Sequence, residues 1–125
     1  MKRILVAEDR PASLELIRIV LESAGYEVVE AVNGEEALEK ARGDPVDLIL
    51  LDLQMPKING FEVLAELRKN PNFASIPIVA LTASAMHGDR ERALSAGFSA
   101  YIAKPVDLRV LRAQTERLIG STKVL

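Results

Sequence analysis

The sequence predicts an α/β fold, a doubly wound five-stranded parallel sheet with flavodoxin-like (βα)5 topology and strand order 2-1-3-4-5. Short apolar runs alternate with longer runs of helical periodicity, which is the pattern of a parallel sheet with helices on both faces. The short runs are almost wholly apolar, as strands buried on both faces require. The chain has 125 residues, which suits one domain. Right-handed crossovers leave the order 2-1-3-4-5 as the leading arrangement of five βα units.

Five short apolar runs are predicted to be strands. They are Ile4–Ala7, Tyr26–Val32, Leu48–Leu51, Ile78–Leu81 and Ala100–Ala103. The longest unbroken apolar runs have four residues, against roughly 20 for a membrane-spanning helix, so no association with a membrane is expected. Glu8 and Asp9 also interrupt the first apolar run too early for a signal peptide. The sequence therefore predicts a cytoplasmic protein.

The longer segments are predicted to be helices. They are Pro11–Ala24, Gly34–Arg42, Gly60–Asn70, Asp89–Ala96 and Asp107–Ile119. In the first of these, apolar residues recur at helical spacing at Leu14, Ile17 and Leu21. Pro11 suits the first turn of that helix, and Gly25 suits its left-handed C-terminal cap.

Turn-forming residues are expected to bound the later helices. Asn33 is predicted to begin the second helix and Gly43 to stop it, and the third is expected to end before Pro71. Gly97 and Gly120 are predicted to end the last two helices. The predicted domain covers residues 1–120, and residues 121–125 form a short tail.

Composition excludes several classes of function. The chain has no Cys and a single His, so disulfides, thiol catalysis and zinc sites of the usual Cys and His types are excluded. That histidine, His87, is interpreted as an exposed loop residue. Lys and Arg number 16 and Asp and Glu 18, a net charge of −2, which gives no footprint for nucleic-acid binding. Any site for a hard cation would have to be built from oxygen ligands.

Polar residues follow four of the five predicted strands. Glu8 and Asp9 come after the first strand, Asp52 after the third, Thr82 after the fourth and Lys104 after the fifth. In an open parallel sheet of this order, ligands bind at the carboxyl ends of the strands, between strands 1 and 3. The sequence therefore predicts that three carboxylates and a lysine converge on one site.

The charges of that cluster indicate its chemistry. Two carboxylates about 5 Å apart repel each other by roughly 3 kcal/mol at an effective dielectric constant near 20. Lys104 supplies one compensating charge, and a divalent cation would supply the rest. Mg²⁺ prefers carboxylates, waters and phosphate oxygens as ligands, so we predict a Mg²⁺ site shared with a phosphoryl group. Asp52 would be the nucleophile that forms an aspartyl phosphate, while Lys104 and Thr82 would hold phosphoryl oxygens.

The chain resembles a response-regulator receiver domain of two-component signalling. The matching segments occur in family order along essentially the whole chain. They are Val6-Ala7-Glu8-Asp9, Asp47 to Pro56, Asn59-Gly60, Leu81-Thr82-Ala83 and Lys104-Pro105. The resemblance implies that Asp52 is the phosphoacceptor and that Glu8 and Asp9 are the acidic metal pair. It also implies that the backbone carbonyl of Gln54 is a further metal ligand.

The resemblance implies a switch as well as a phosphorylation site. Thr82 corresponds to the switch hydroxyl, Tyr101 to the switch aromatic and Lys104 to the lysine that contacts phosphate, with a cis peptide bond between Lys104 and Pro105. A tyrosine at this place in a strand could equally serve for packing alone. Three positions depart from the commonest family pattern, and they leave the dephosphorylation rate open. They are Arg10, Gln54 and Ser84.

The chain is most similar to stand-alone, single-domain regulators of the cell-polarity kind, a similarity carried by the segment from Thr82 to Met86 and by Gly88-Asp89. The resemblance implies that a histidine kinase or histidine phosphotransfer protein is the phosphodonor. A downstream protein target would bind through the face of helix 4, strand 5 and helix 5. The protein would not be an enzyme beyond its own phosphorylation and dephosphorylation.

Three other functions are weighed against this one. A phosphatase of the haloacid-dehalogenase type needs an acid two residues after the nucleophile, where this chain has Gln54, and a cap domain that 125 residues do not accommodate. A flavodoxin needs a phosphate-binding loop after strand 1, where Glu8 and Asp9 would repel the phosphate. A receiver-like binding module that is never phosphorylated is disfavoured by the intact set of acids and lysine.

Overall fold

The computed structural model describes residues 1–83 and 88–120. Its five strands form one parallel sheet in the order β2-β1-β3-β4-β5, which confirms the predicted fold class and strand order. The strands are β1 (Arg3–Ala7), β2 (Glu27–Ala31), β3 (Leu48–Asp52), β4 (Ile78–Thr82) and β5 (Ala100–Ala103). The first and third strands lie side by side, with Ala7 opposite Leu51, so the residues that follow them meet at the switch point of the topology.

Within the described residues, four helices connect the strands and a fifth follows the last strand. They are α1 (Pro11–Ser23), α2 (Gly34–Gly43), α3 (Gly60–Arg68), α4 (Asp89–Ala96) and α5 (Leu108–Ile119). Pro11 stands at the start of α1 and Gly25 follows it with φ 95°, as the sequence predicts. No helix within residues 1–83 and 88–120 is long and apolar enough to cross a bilayer.

Several boundaries differ from the sequence prediction, most of them by one residue, and the structure gives a local account of three. Gly43 is the last residue of α2 rather than the residue after it, and the chain leaves through Asp44 in an extended conformation. The third helix ends earlier, and a 3₁₀ turn at Pro71–Phe73 follows it. Tyr26 lies before β2 rather than in it: its ring is buried and its hydroxyl donates to the Gly120 carbonyl oxygen over 2.8 Å.

Both faces of the sheet are covered, because side chains alternate along each strand. In β1, Leu5 and Ala7 pack on the side of α2, α3 and α4, whereas Ile4 and Val6 pack on the side of α1 and α5. Every residue of β3 and β4 is buried. This continuous burial explains why every residue of the two central strands is apolar except the last, which is Asp52 in β3 and Thr82 in β4.

Two glycines fix the loop between β3 and α3. A Cβ atom on Gly34 would lie 2.0 Å from the Ile58 carbonyl oxygen, and one on Gly60 would lie 2.6 Å from the Asp52 carbonyl oxygen. Both positions therefore require a residue without a side chain for the backbone to approach this closely. Asn59 begins α3 with a capping box that includes Glu62. These contacts hold the loop that follows Asp52 close to the end of the sheet.

Candidate functional site

Three carboxylates meet at the carboxyl end of the sheet. Glu8, Asp9 and Asp52 each offer an oxygen, and these oxygens lie within 4.8 Å of one another. The Glu8 side chain is completely buried and Asp52 is 3% exposed, whereas Asp9 is half-buried. The predicted convergence is confirmed, and it follows directly from the adjacency of β1 and β3.

Lys104 lies between two of these acids. Its Nζ is 2.7 Å from Glu8 Oε2 and 2.7 Å from Asp52 Oδ2. Its backbone N–H donates to the Thr82 carbonyl oxygen over 2.7 Å, which ties the end of β5 to the end of β4. The peptide bond between Lys104 and Pro105 is cis, as the family resemblance implies.

The pKa values of Glu8 and Lys104 are both raised above their ordinary values. Burial raises the pKa of Glu8 above its ordinary value; the adjacent Lys104 ammonium group opposes this effect and the charge of Asp52 adds to it. Burial would lower the pKa of Lys104, but its hydrogen bond to Asp52 and its charge interactions with Asp52 and Glu8 outweigh that effect and raise the pKa. One ammonium group therefore only partly offsets the cost of burying this acidic cluster.

The donor set fits a hard divalent cation. Glu8 Oε2 forms an ion pair with Lys104, but its geometry gives this buried oxygen no hydrogen bond within the described residues. Asp52 Oδ1 accepts a hydrogen bond of 2.9 Å from the Gln54 backbone N–H, which orients the carboxylate. Buried carboxylate oxygens with unused lone pairs are suitable Mg²⁺ ligands. The acidic pocket of Glu8, Asp9 and Asp52 could therefore bind Mg²⁺.

An open groove of about 750 Å³ gives access to these groups. Asp9, Asp52 and Lys104 are among its polar lining residues, and Leu16 and Val106 are among its apolar ones. Two of the unusual positions noted in the sequence line it as well, and both are exposed. They are Arg10 and Gln54. A reagent in solvent could thus reach Asp52 although the carboxylate itself is buried.

Of the two predicted switch residues, Thr82 is the last residue of β4 and Tyr101 lies in β5. Thr82 is 2% exposed, and its hydroxyl donates to Asp89 Oδ2 over 3.1 Å. Tyr101 is partly buried, and the Arg90 guanidinium lies 5.3 Å from the centre of its ring. The sequence reasoning missed Asp89 and Arg90, because an acid and an arginine in the first turn of a helix read as ordinary surface residues.

Two groups of sequence predictions concern residues outside the described ranges. Ser84, Met86 and His87 belong to the first group, and the tail at residues 121–125 is the second.

Comparisons with known proteins agree on one family. The sequence model of the family described as "Response regulator receiver domain" matches residues 4–116. The chain is 41% identical over 107 residues to the polar-differentiation response regulator DivK of Brucella anthropi, covering 86% of this chain and 87% of that protein. It is 40% identical over 107 residues to DivK of Brucella ovis, with the same coverage.

Solved structures show the same fold. The chemotaxis response regulator CheY4 of Vibrio cholerae superposes with a TM-score of 0.89 at 29% identity, covering 94% of this chain and 98% of that one. The receiver domain of the sensor histidine kinase PA1611 from Pseudomonas aeruginosa PAO1 gives a TM-score of 0.88 at 38% identity, covering 96% and 98%. That structure has a magnesium ion coordinated in its active-site cleft.

Proposed function

Because this chain belongs to the response-regulator receiver domain family and so to two-component signalling, we propose that Asp52 accepts a phosphoryl group in a Mg²⁺-dependent reaction. The domain would cover residues 1–120 and act as a stand-alone regulator in a two-component or phosphorelay system. Its similarity to DivK supports a role related to polar differentiation, and the family supports action in the cytoplasm.

The observation that carries the proposal is the position of Lys104 against two buried carboxylates. A lysine 2.7 Å from both Glu8 and Asp52 could be a purely structural ion pair. A structural pair, however, needs one acid, and a second buried acid with a raised pKa costs stability. The arrangement is better explained by a site that receives additional positive charge and then a phosphoryl group.

The chemistry follows from the roles of these side chains. An Asp52 carboxylate oxygen attacks the phosphorus of a phosphohistidine, the new O–P bond forms as the N–P bond breaks, and the imidazole nitrogen takes a proton. The Lys104 ammonium would neutralise charge on the transferred group, which is the main requirement of phosphoryl transfer. Bound Mg²⁺, held by Glu8, Asp9, Asp52 and the Gln54 carbonyl, would supply further positive charge to the phosphoryl oxygens.

The family supports one class of phosphodonor for this chain. Receiver domains interact with histidine kinases or histidine phosphotransfer proteins, and we propose such a donor for this chain. On phosphorylation, the Thr82 hydroxyl would move to the phosphoryl group and Tyr101 would turn inward. This change would bias the face formed by α4, β5 and α5 toward a downstream protein target.

The test is labelling of the protein by acetyl phosphate, detected as a mass increase of one phosphoryl group. We expect labelling of the parent with Mg²⁺ and loss of labelling with EDTA. Asp52→Asn should abolish it. Asp47→Asn is the matched control, because Asp47 is an exposed aspartate that directly precedes the same strand. Its carboxylate accepts a hydrogen bond from the Arg3 backbone N–H over 2.8 Å. Equal labelling of Asp52→Asn and the parent would refute the proposal.

We further propose that the chain is a switch and not a phosphoester hydrolase. Gln54 stands where a haloacid-dehalogenase-type phosphatase has its general acid, and an amide cannot donate a proton to a leaving group. The protein should therefore release no product from p-nitrophenyl phosphate beyond the buffer rate. Multiple turnovers that disappear in Asp52→Asn would contradict this part of the proposal.

A further inference from the structure

The Thr82 hydroxyl is held by a residue of the next helix. Asp89, the first residue of α4, accepts a hydrogen bond from Thr82 Oγ1 over 3.1 Å. Asp89 is only 8% exposed, so this contact is shielded from water. Its second oxygen, Oδ1, accepts from Arg92 Nη1 over 2.9 Å. The carboxylate is thus oriented from both sides.

Helix stability alone does not explain this geometry. An acid in the first turn of a helix is favourable because it faces the positive end of the helix dipole. Glu91 also lies in the first turn of α4, and it interacts favourably with the helix dipole while it remains exposed. Asp89 is instead turned inward onto the end of β4. Its burial and its bond to Thr82 require a further reason.

We propose that Asp89 is a positioning residue that holds the Thr82 hydroxyl in the unphosphorylated protein and thereby sets the free-energy cost of switching. This inference rests on the proposed function of Asp52 and concerns regulation of the same site. A threonine hydroxyl has a single proton to donate. It can donate to Asp89 or to a phosphoryl oxygen on Asp52, but not to both. Each phosphorylation event therefore has to break the bond to Asp89.

The same turn of α4 also contacts the second predicted switch residue. The Arg90 guanidinium packs 5.3 Å from the centre of the Tyr101 ring. Arg92, which holds Asp89, packs 5.0 Å from the centre of the Phe61 ring of α3. Release of Thr82 by Asp89 would thus act on a turn that is packed against Tyr101. The first turn of α4 links the two switch residues through side chains that the structure places in contact.

The experiment measures the affinity for beryllofluoride, a phosphoryl mimic, by calorimetry at saturating Mg²⁺. A hydrogen bond to a charged acceptor corresponds to roughly a 10- to 100-fold change in an equilibrium constant. We expect Asp89→Ala to bind beryllofluoride about 10-fold more tightly than the parent, because the competing acceptor is gone. Glu91→Ala, the exposed acid of the same turn, is the matched control and should bind like the parent.

A double-mutant cycle separates positioning from a general effect on the helix. In a Thr82→Ala background, Asp89→Ala should leave the affinity unchanged, because there is no hydroxyl to compete for. Asp89→Asn keeps the shape of the side chain with a weaker, neutral acceptor. It should give a smaller gain that likewise vanishes with Thr82→Ala, and it carries the test if Asp89→Ala unfolds. Unchanged or weaker binding by both Asp89 variants, or an equal gain without Thr82, would overturn the inference.

The cycle also separates this inference from the proposed function. Failure of the parent to bind beryllofluoride, or equal binding by Asp52→Asn, would refute the phosphoacceptor site and the inference with it. Normal binding by the parent without coupling between Asp89 and Thr82 would refute the inference alone. A nuclear magnetic resonance signal from the Thr82 methyl group gives a direct readout, since it should shift in Asp89→Ala and not in Glu91→Ala before any ligand is added.

Discussion

The two ends of the sheet use charged residues in opposite ways. At the carboxyl end, Glu8 and Asp52 are buried together against one lysine. At the amino end, charges lie in solvent or bind backbone groups. The side chains of the ion pair between Arg3 and Glu27 are 29% and 46% exposed. Arg68 Nη1 donates to the carbonyl oxygens of Phe73 and Ile76.

The difference indicates which charges serve stability. Exposed ion pairs cost little to form and contribute little. A guanidinium that donates to backbone carbonyl oxygens helps to satisfy acceptors at the end of a helix. Two buried carboxylates that share one ammonium group are costly by comparison. Among the described residues this arrangement occurs at one end of the sheet, which points to chemistry there and to structural roles at the other end.

The largest effect on stability is expected from Lys104→Met. It leaves Glu8 and Asp52 facing each other without a counter-charge and should lower the free energy of unfolding by about 3 kcal/mol in EDTA. Mg²⁺ should restore part of this loss, and urea unfolding with and without Mg²⁺ measures it. Lys69→Met is the control, since its ion pair with Glu66 lies in solvent. An effect as small as that of the control would remove the contrast between the two ends.

Arg68→Met should have the next largest effect. Arg68 also donates to the Gly97 carbonyl oxygen over 3.3 Å, so its loss takes a charged donor away from three backbone carbonyl oxygens. We expect a loss of about 2 kcal/mol in the free energy of unfolding, with no dependence on Mg²⁺ and with normal labelling by acetyl phosphate. Impaired labelling of the folded variant would mean that the amino end is not purely structural.

Glu8→Gln tests the cost of the buried acids at the carboxyl end through the pH dependence of the free energy of unfolding. The raised pKa of Glu8 means that the folded state binds a proton more readily than the unfolded chain. The free energy of unfolding contributed by this group therefore falls as pH rises from the ordinary value of 4.5 through the raised pKa. The stability advantage of Glu8→Gln over the parent in EDTA should grow over that interval. Urea unfolding at a series of pH values tests this, and a constant difference would be the contrary result.

The smallest effect is expected from Glu22→Gln. Glu22 pairs with Arg18 over 3.1 Å on the exposed surface of α1. Removing that charge should change the free energy of unfolding by no more than about 0.5 kcal/mol. A larger loss would show that the amino end also depends on its ion pairs.

The sequence predicts the sheet and its acids because the relevant signals are local. Apolar runs mark the strands, and the residue after each run marks its carboxyl end. The strand order then brings Glu8 beside Asp52, so the convergence of acids at the switch point follows from topology without any side-chain detail. Asn33 as a helix start was predictable for the same reason: its side chain accepts from the backbone N–H of Glu36, only three residues away.

Side-chain contacts between different elements were not predictable in this way. Nothing in the sequence indicates that Asp89 turns inward to Thr82, since an acid is favourable at that helix position whether buried or exposed. Arg68 reads as an ordinary basic residue near a helix end, and its carbonyl partners become visible only after α3, β4 and α4 are packed. The 3₁₀ turn was missed because Pro71 signals the end of a helix as strongly as the start of a new turn.

The way α5 ends has a practical consequence for measurement. The Gly120 carbonyl oxygen accepts from the Tyr26 hydroxyl, and the Ile119 carbonyl oxygen accepts from the Lys2 ammonium group. These anchors hold the last turn at the amino end of the sheet, one strand length or roughly 16 Å from the acids. A fluorophore or biosensor linkage attached after Gly120 should leave the acidic site facing free solution. Real-time binding assays can therefore immobilise the protein there without covering the surface they are meant to probe.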